Sequence, residues 1–230
     1  MKAFVNADFH NHTCYSHDSI LKVEKLILRA RERGLDRLVI TDHDTIEGAL
    51  HAKRIDPELV IVGEEIQTTC GELLAAYVRE SVPEGLSPME AIRRLKDQGA
   101  FISVSHPQDR YRGWRLPDLL EILPHVDALE VFNARCIHAE DNTNAQLLAC
   151  KYDLPGTVGS DAHTAFEVGN AYIHIPWFND ADELRKGIAQ GEMMAKAAPA
   201  YVHFFTSSAK QVKKIQGKLN KTQSLDVRNS

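Results

Sequence analysis

The chain of 230 residues is 43% hydrophobic and 26% charged, the balance of a folded core and not of a disordered segment. Its 27 basic and 32 acidic residues leave a net charge of −5, which argues against broad binding to nucleic-acid backbones. No apolar run approaches the ~20 residues that span a bilayer. The first residues turn polar too soon for a secretory leader. The cysteines at 14, 70, 136 and 150 form no CxxC pair, so the expectation is a reduced, cytoplasmic chain.

Taken in order, the pattern alternates strand and helix. Phe4 to Phe9 reads as a strand. Val23, Leu26, Ile27 and Ala30 then recur at helical spacing, with Gly34 as the stop. Arg37 to Thr41 is a short strand and Thr45 to Arg54 a helix. Leu59 to Gly63 is a third strand, and Cys70-Gly71 turns a hairpin into Glu72 to Val78. Ser87-Pro88-Met89-Glu90 is a capping box with proline at the first helical position. Strands follow at Phe101–Ser105, Ala128–Phe132, Gly156–Ser160, Ala171–Pro176 and Tyr201–Phe205, with helices around Asn144–Tyr152 and Asp180–Gln190. Repeated β-α units imply a parallel sheet, open or closed, with its site where strands end. We expect one domain over residues 1–205. Residues 206–230 carry a net charge of +5; the stripe Ala209, Val212, Ile215 and Leu219 predicts a basic helix packed on the body, followed by a loose tail.

Six of the eleven histidines lie in short motifs with acidic neighbours. Asp8, His10 and His12 fall on one face of the first strand. Ser16-His17-Asp18 offers a carboxylate that could equally cap the next helix. Thr41-Asp42-His43-Asp44 ends the second strand, and Glu64-Glu65 the third. His106-Pro107 and Asp161-Ala162-His163 end later strands. Taken singly, each motif has an ordinary structural explanation. Together they collect His10, His12, Asp18, His43, Glu65, His106, Asp161 and His163 at strand ends, twice the number that one tetrahedral zinc uses. Two or three divalent ions (Mn, Zn or Fe) sharing carboxylates fit that count. His51, His125, His138, His174 and His203 lack such contexts and read as structural or exposed.

The ordered set Asp8-x-His10-x-His12-Thr13, Ser16-x-Asp18, Thr41-Asp42-His43-Asp44, Gly63-x-Glu65, His106-Pro107 and Gly159-Ser160-Asp161-Ala162-His163 resembles the polymerase and histidinol phosphatase (PHP) family, from about residue 3 to residue 177. The resemblance implies a distorted (β/α)7 barrel of TIM-like form and metal-dependent phosphoester hydrolysis by a hydroxide bridging two ions. It also implies three subsites. His10, His12, Glu65 and Asp161 would hold the first ion. Glu65, with Glu64 as the alternative, would bridge to a second ion on His106. Asp18, His43 and His163 would hold a third. Asp161, His163 or His43 would supply the leaving-group proton. Leu74 stands where many relatives have a histidine, and Asn133 where some have a ligand, which leaves two or three ions open. Arg110, Arg112 and Arg115 follow His106 and Arg135 follows Asn133 as candidate phosphate binders; Arg110 and Arg135 are preferred, because relatives show arginine near these positions, and Tyr111 and Trp114 are candidates to stack on a base. The expected partner is a small phosphorylated substrate or short nucleic acid, with no membrane and an open oligomeric state. The competing readings are a noncatalytic metal-binding scaffold and an amidohydrolase-type deaminase.

Overall fold

A computed structural model describes residues 2–198 and Lys213. Strand β1 (Phe4–Asp8) pairs in parallel with β2 (Arg37–Ile40), and β2 with β3 (Val60–Gln67). Strand β3 turns through the Cys70-Gly71 hairpin into antiparallel β4 (Glu72–Ala76), which pairs antiparallel with β5 (Phe101–Val104). Strands β6 (Ala128–Asn133) and β7 (Gly156–Gly159) complete a parallel run beside β5.

Just beyond β1 the chain reaches β7. Phe9 N donates to the Val158 carbonyl at 3.2 Å, Asp161 N to His10 at 2.8 Å, and His12 N to Ala162 at 2.9 Å. These bonds nearly close a seven-stranded barrel, in agreement with the expected distorted form. Outside it, β8 (Ala171–Pro176) pairs antiparallel with β1 from Phe4 to Ala7, and β9 (Glu192–Ala195) edges β8.

Helices α1 (Val23–Glu32), α2 (Glu47–Ile55), α3 (Pro88–Asp97), α4 (Leu116–Ile122), α5 (Ala139–Lys151) and α6 (Ala181–Gly187) form the other layer. The capping box forms as expected, with Ser87 Oγ accepting from Glu90 N at 3.3 Å. α1 and α2 bury Leu26, Ala30, Ala49 and Ala52 among Leu38, Ile40 and Val60. α3 and α4 bury Ile92, Leu95, Leu119 and Ile122 with Ile102 and Val104. A third cluster joins Phe9, Val39, Phe101 and Phe178 beneath the strand ends that carry the polar motifs. Packing at interior density fixes those strand ends.

Two described elements differ from expectation. α4 is a seven-residue helix opened by Pro117, too short for a periodic signal. β9 is exposed at all four positions and so lacks the alternation that marks a half-buried strand. The expected Tyr201–Phe205 strand and the 206–230 helix lie outside the described residues, Lys213 excepted. The Lys213 ammonium donates to the Cys14 carbonyl at 2.6 Å and to the Ser16 carbonyl. The four cysteines form no disulfide. Among the described residues, no helix is long and apolar enough to cross a membrane.

Candidate metal centre

The site starts two residues beyond β1. His10 Nε2 and His12 Nε2 stand 3.0 Å apart. Glu65 Oε2 lies 3.1 Å from the first and 3.2 Å from the second. Asp161 Oδ1 lies 3.6 and 3.3 Å from the same two nitrogens. All four residues are buried. A cation bonded to four donors at ~2.1 Å in a tetrahedron separates them by roughly 3.4 Å. Each carboxylate oxygen stands within 3.6 Å of both imidazole nitrogens, near that spacing, so the residues fit the ion that the chain's motifs imply.

Hydrogen bonds set each imidazole for this task. His10 Nδ1 donates to Glu130 Oε1 at 2.8 Å. Ser16 Oγ donates to Asp42 Oδ1 at 2.8 Å, so it accepts from His12 Nδ1 at 2.9 Å. Both Nε2 lone pairs are therefore turned toward the carboxylates. Asp42 also accepts from Thr13 N and Thr13 Oγ1, each at 2.6 Å, and is a brace for this loop. Asp8 is likewise a brace: it accepts from Ser160 N at 3.0 Å across the β1–β7 seam. Gly159 permits the close approach of that seam, because a Cβ there would sit 2.3 Å from His10 Cβ and 2.6 Å from Glu130 Oε1.

A second group lies alongside. Asp18 Oδ1 is 3.2 Å from His163 Nε2, and Asp18 Oδ2 is 3.6 Å from His43 Nε2. The helix-cap alternative for Asp18 does not hold, since α1 is entered through Lys22. His163 Nδ1 donates to the Asp161 carbonyl at 2.9 Å, which turns its Nε2 to Asp18.

A third group flanks Glu65 on the other side. His106 Nε2 is 3.4 Å from Glu65 Oε1 and 3.1 Å from Glu72 Oε2. Neither ring nitrogen of buried His106 makes a hydrogen bond. His106 and Asp161 both hold left-handed backbone, at φ 26° and 50°; such strain persists where surrounding structure enforces it.

The charge is as uneven as the geometry. Burial disfavours every charged form here, yet Glu65, Asp161 and Glu130 raise His10 well above its ordinary pKa. Hydrogen bonds donated to Asp161 and Glu65 likewise lift His12 to about 9, against its burial. Asp161 and Glu65 are lowered although burial opposes it, because His10 lies beside both. Burial, His12 and Arg135 push His163 down to about 3. His10 and His12 thus supply positive charge between the carboxylates by holding protons that a bound cation would displace, whereas His163 stays neutral.

The structure chooses between the two neighbouring acids. Glu64 points away from the centre, its carboxylate bonded to Ser81 Oγ and, at 2.9 Å, to Val82 N. The arginines divide differently from expectation. Arg110 turns to Asp141, 3.3 Å away. Arg112, two residues on, donates to Asp161 Oδ2 at 2.8 Å. Arg135 is buried, 3.2 Å from Glu167 Oε1. A cleft of about 630 Å³ opens over the centre, lined by His43, Glu72, Tyr111, Arg112, Arg135 and Asp161 among others. Trp114 is buried, its Nε1 donating to the Glu72 carbonyl at 3.2 Å, and is a packed residue; Tyr111 is 71% exposed at the cleft. Leu74 packs against a void of about 10 Å³ with Phe9, Phe101 and Ser103. Asn133 does not stand in as a ligand: its amide donates to Glu130 and, at 3.2 Å, to Asp161 Oδ2.

Sequence reasoning missed Glu72 and Glu130 and ranked Arg112 below Arg110. Glu130 sits mid-strand in an apolar run, and Arg112 differs from Arg110 only in loop direction. That direction comes from Asp109 Oδ1, which accepts from both Tyr111 N and Arg112 N.

Residues 8–84 match the PHP domain, and residues 139–193 match the PHP-associated region. Two uncharacterized proteins of Methanocaldococcus jannaschii are similar. MJ1587 is 35% identical over 146 residues, 56% of this chain and 82% of that protein. MJ0417 is 40% identical over 134 residues, 56% of each. The chain belongs to the PHP domain family. It spans just over half the length of MJ0417.

Among solved structures, PsfC from Pseudomonas syringae aligns with a TM-score of 0.68 at 16% identity, covering 92% of this chain and 99% of that one. A Bifidobacterium adolescentis protein assigned as a metal-dependent phosphoesterase gives 0.58 at 19%, over 68% and 87%. The lesion-specific endonuclease EndoQ of Pyrococcus furiosus gives 0.60 at 16%, over 83% and 58%. Identities this low show the shared fold.

Proposed function

We propose that the protein is a metal-dependent phosphoesterase acting on a small phosphorylated substrate or the end of a short nucleic acid. One observation carries this reading: the buried pair His10 Nε2 and His12 Nε2 stands 3.0 Å apart, with Glu65 Oε2 and Asp161 Oδ1 each within 3.6 Å of both, beside a cleft walled by Arg112 and Arg135. The names of two fold neighbours, a metal-dependent phosphoesterase and an endonuclease, point the same way.

His10, His12, Glu65 and Asp161 would hold one divalent cation, and Glu65 would reach a second through its other oxygen. The cations would activate water and neutralise phosphoryl oxygens. Arg112 has two tasks. It fixes Asp161 through Oδ2, and its part-exposed guanidinium faces the cleft, where it matches phosphate oxygens in a paired geometry. Arg135 supports the same wall from Glu167.

Of the three groups expected to move a proton, Asp161 is engaged by Arg112, Asn133 and the two imidazoles, and His163 is turned into Asp18. His43 reaches furthest into the cleft, its side chain 12% exposed against 4% for His163. It is the residue we assign to the leaving alkoxide. That role excludes His43 as a ligand, so it belongs to a two-cation centre.

The test is phosphate release from a panel of phosphomonoesters and short oligonucleotides, with metal-stripped protein and protein restored with manganese. Turnover should need the metal and be abolished by Asp161→Asn. Equal turnover by stripped protein, or by Asp161→Asn, contradicts the proposal.

A further inference from the structure

We propose that Glu72 supplies a further ligand to the second cation subsite that the family resemblance places on Glu65 and His106, and that this carboxylate makes the subsite take a hard ion such as Mn2+ or Mg2+ in preference to Zn2+. The inference rests on the phosphoesterase reading for its use; Glu72's part in it is read from the residues.

Register places Glu72. In the β3–β4 hairpin Glu65 pairs with Leu74, and Gln67 with Glu72. Residues two apart on a strand share a face, so Glu72 lies on the Leu74 side one pleat further toward the cleft. Leu74 fills the layer beneath. The longer Glu72 side chain reaches back over it: Oε2 stands 3.1 Å from His106 Nε2, and Oε1 stands 3.7 Å from His43 Nδ1. Glu65 Oε1 is 3.4 Å from His106 Nε2, while its Oε2 belongs to the first cluster. One carboxylate therefore faces two centres.

Acidic side chains near one another do not make a site. Here a second observation does: His106 is buried, its side chain 1% exposed, its Nε2 directed between the two carboxylates, and neither ring nitrogen has a hydrogen-bond partner. Nε2 meets both carboxylates as ion-pair contacts without an aligned hydrogen bond, and a buried polar atom left in that state is costly. A cation between Glu65, Glu72 and His106 would give Nε2 a bond. His43 borders the same carboxylates through its other ring nitrogen: Nδ1 is 3.4 Å from Glu65 Oε2 and 3.7 Å from Glu72 Oε1, while Nε2 faces Asp18.

The donor sets of the two subsites differ in kind. The first offers two imidazoles and two carboxylates. The second offers two carboxylates and one imidazole, and it opens to the cleft, where water completes the shell. Carboxylate and water suit manganese and magnesium, whereas imidazole-rich sets suit zinc. The centre should therefore load unlike metals, zinc or iron below and a harder ion beside Glu72.

The experiment is equilibrium dialysis of the metal-stripped full chain against Mn2+, Zn2+, or both, with bound metal counted by elemental analysis. Wild type should bind one more Mn2+ per chain than Glu72→Gln, at equal retention of the tightest ion. Glu72→His should convert that site to zinc, binding Zn2+ more tightly and Mn2+ more weakly than wild type by about tenfold, the scale of a ligand change. Far-UV circular dichroism confirms that the variants are folded. Equal Mn2+ stoichiometry and affinity in wild type and Glu72→Gln overturns the subsite, and an unchanged Zn2+/Mn2+ preference in Glu72→His overturns its selectivity. Metal counts are taken without substrate. A correct count with no phosphate release defeats the phosphoesterase reading alone, and turnover with an unchanged count defeats the subsite alone.

Discussion

Glu130→Gln is a sharp probe of the centre because it changes one atom and no volume. Glu130 is buried; Oε1 accepts from His10 Nδ1 at 2.8 Å, and Oε2 accepts from His106 N at 2.7 Å and Asn133 Nδ2 at 3.1 Å. An amide offers one acceptor and one donor where the carboxylate offers two acceptors. If its NH2 faces His10, that ring must accept at Nδ1 and carry its proton on Nε2, the atom that faces Glu65 and His12. If the NH2 faces the other way, it meets two N–H groups. Either arrangement spoils the setting of a ligand. Loss of such an outer partner costs about 10- to 100-fold in metal affinity, or roughly 1.4–2.8 kcal/mol. The assay is competition of metal-stripped protein with a chromogenic chelator for Zn2+, with thermal unfolding as the control for folding. A dissociation constant within about twofold of wild type, in a folded variant, refutes the argument that Glu130 sets the His10 tautomer.

Three other outcomes are expected. Chelation should lower the melting temperature: saturation at 100 times the dissociation constant is worth about 2.7 kcal/mol, roughly 5–11 °C for a domain of this size, and identical melting with EDTA and Mn2+ sinks the idea of a resident cation. Gly159→Ala should cost about 1–3 kcal/mol through overpacking and weaken metal binding, since its Cβ would meet His10 and Glu130; wild-type urea unfolding and affinity would show that the seam has slack. Burial raises Glu64 to about 7 from 4.5, Ser81 and Val82 opposing. The folded chain then holds a proton that the unfolded chain loses, so stability in chelator falls as pH rises from 4.5 to 7, by up to about 3 kcal/mol. Glu64→Gln should lack that slope in urea titrations, and an equal slope in both proteins assigns it elsewhere.

Much of the centre was legible in the chain because most candidate ligands sit at a strand end, where a polar motif interrupts an apolar run. His10, His12, Asp18, His43, Glu65, His106, Asp161 and His163 are all brought into one connected cluster, each beside at least one other. What was not legible depends on pairing. Glu72 is near the centre only because the hairpin register sets it one pleat above Leu74. The Arg110–Arg112 distinction is made by two hydrogen bonds to one Asp109 oxygen. The same holds for the fold: the parallel units and the capping box follow from local pattern, while closure of β1 on β7 is a matter of backbone bonds around His10, and exposed β9 carries no pattern at all.

The central claim is that bound cation and phosphoester turnover rise together at this centre. The measurement that tests it most directly is phosphate release by metal-stripped protein as Mn2+ is added stepwise, with bound metal counted at each step on the same samples. The expected result is activity that starts near zero, climbs with cations bound per chain, and is absent at every step in His10→Ala. Activity that is independent of the number of cations bound would contradict the account.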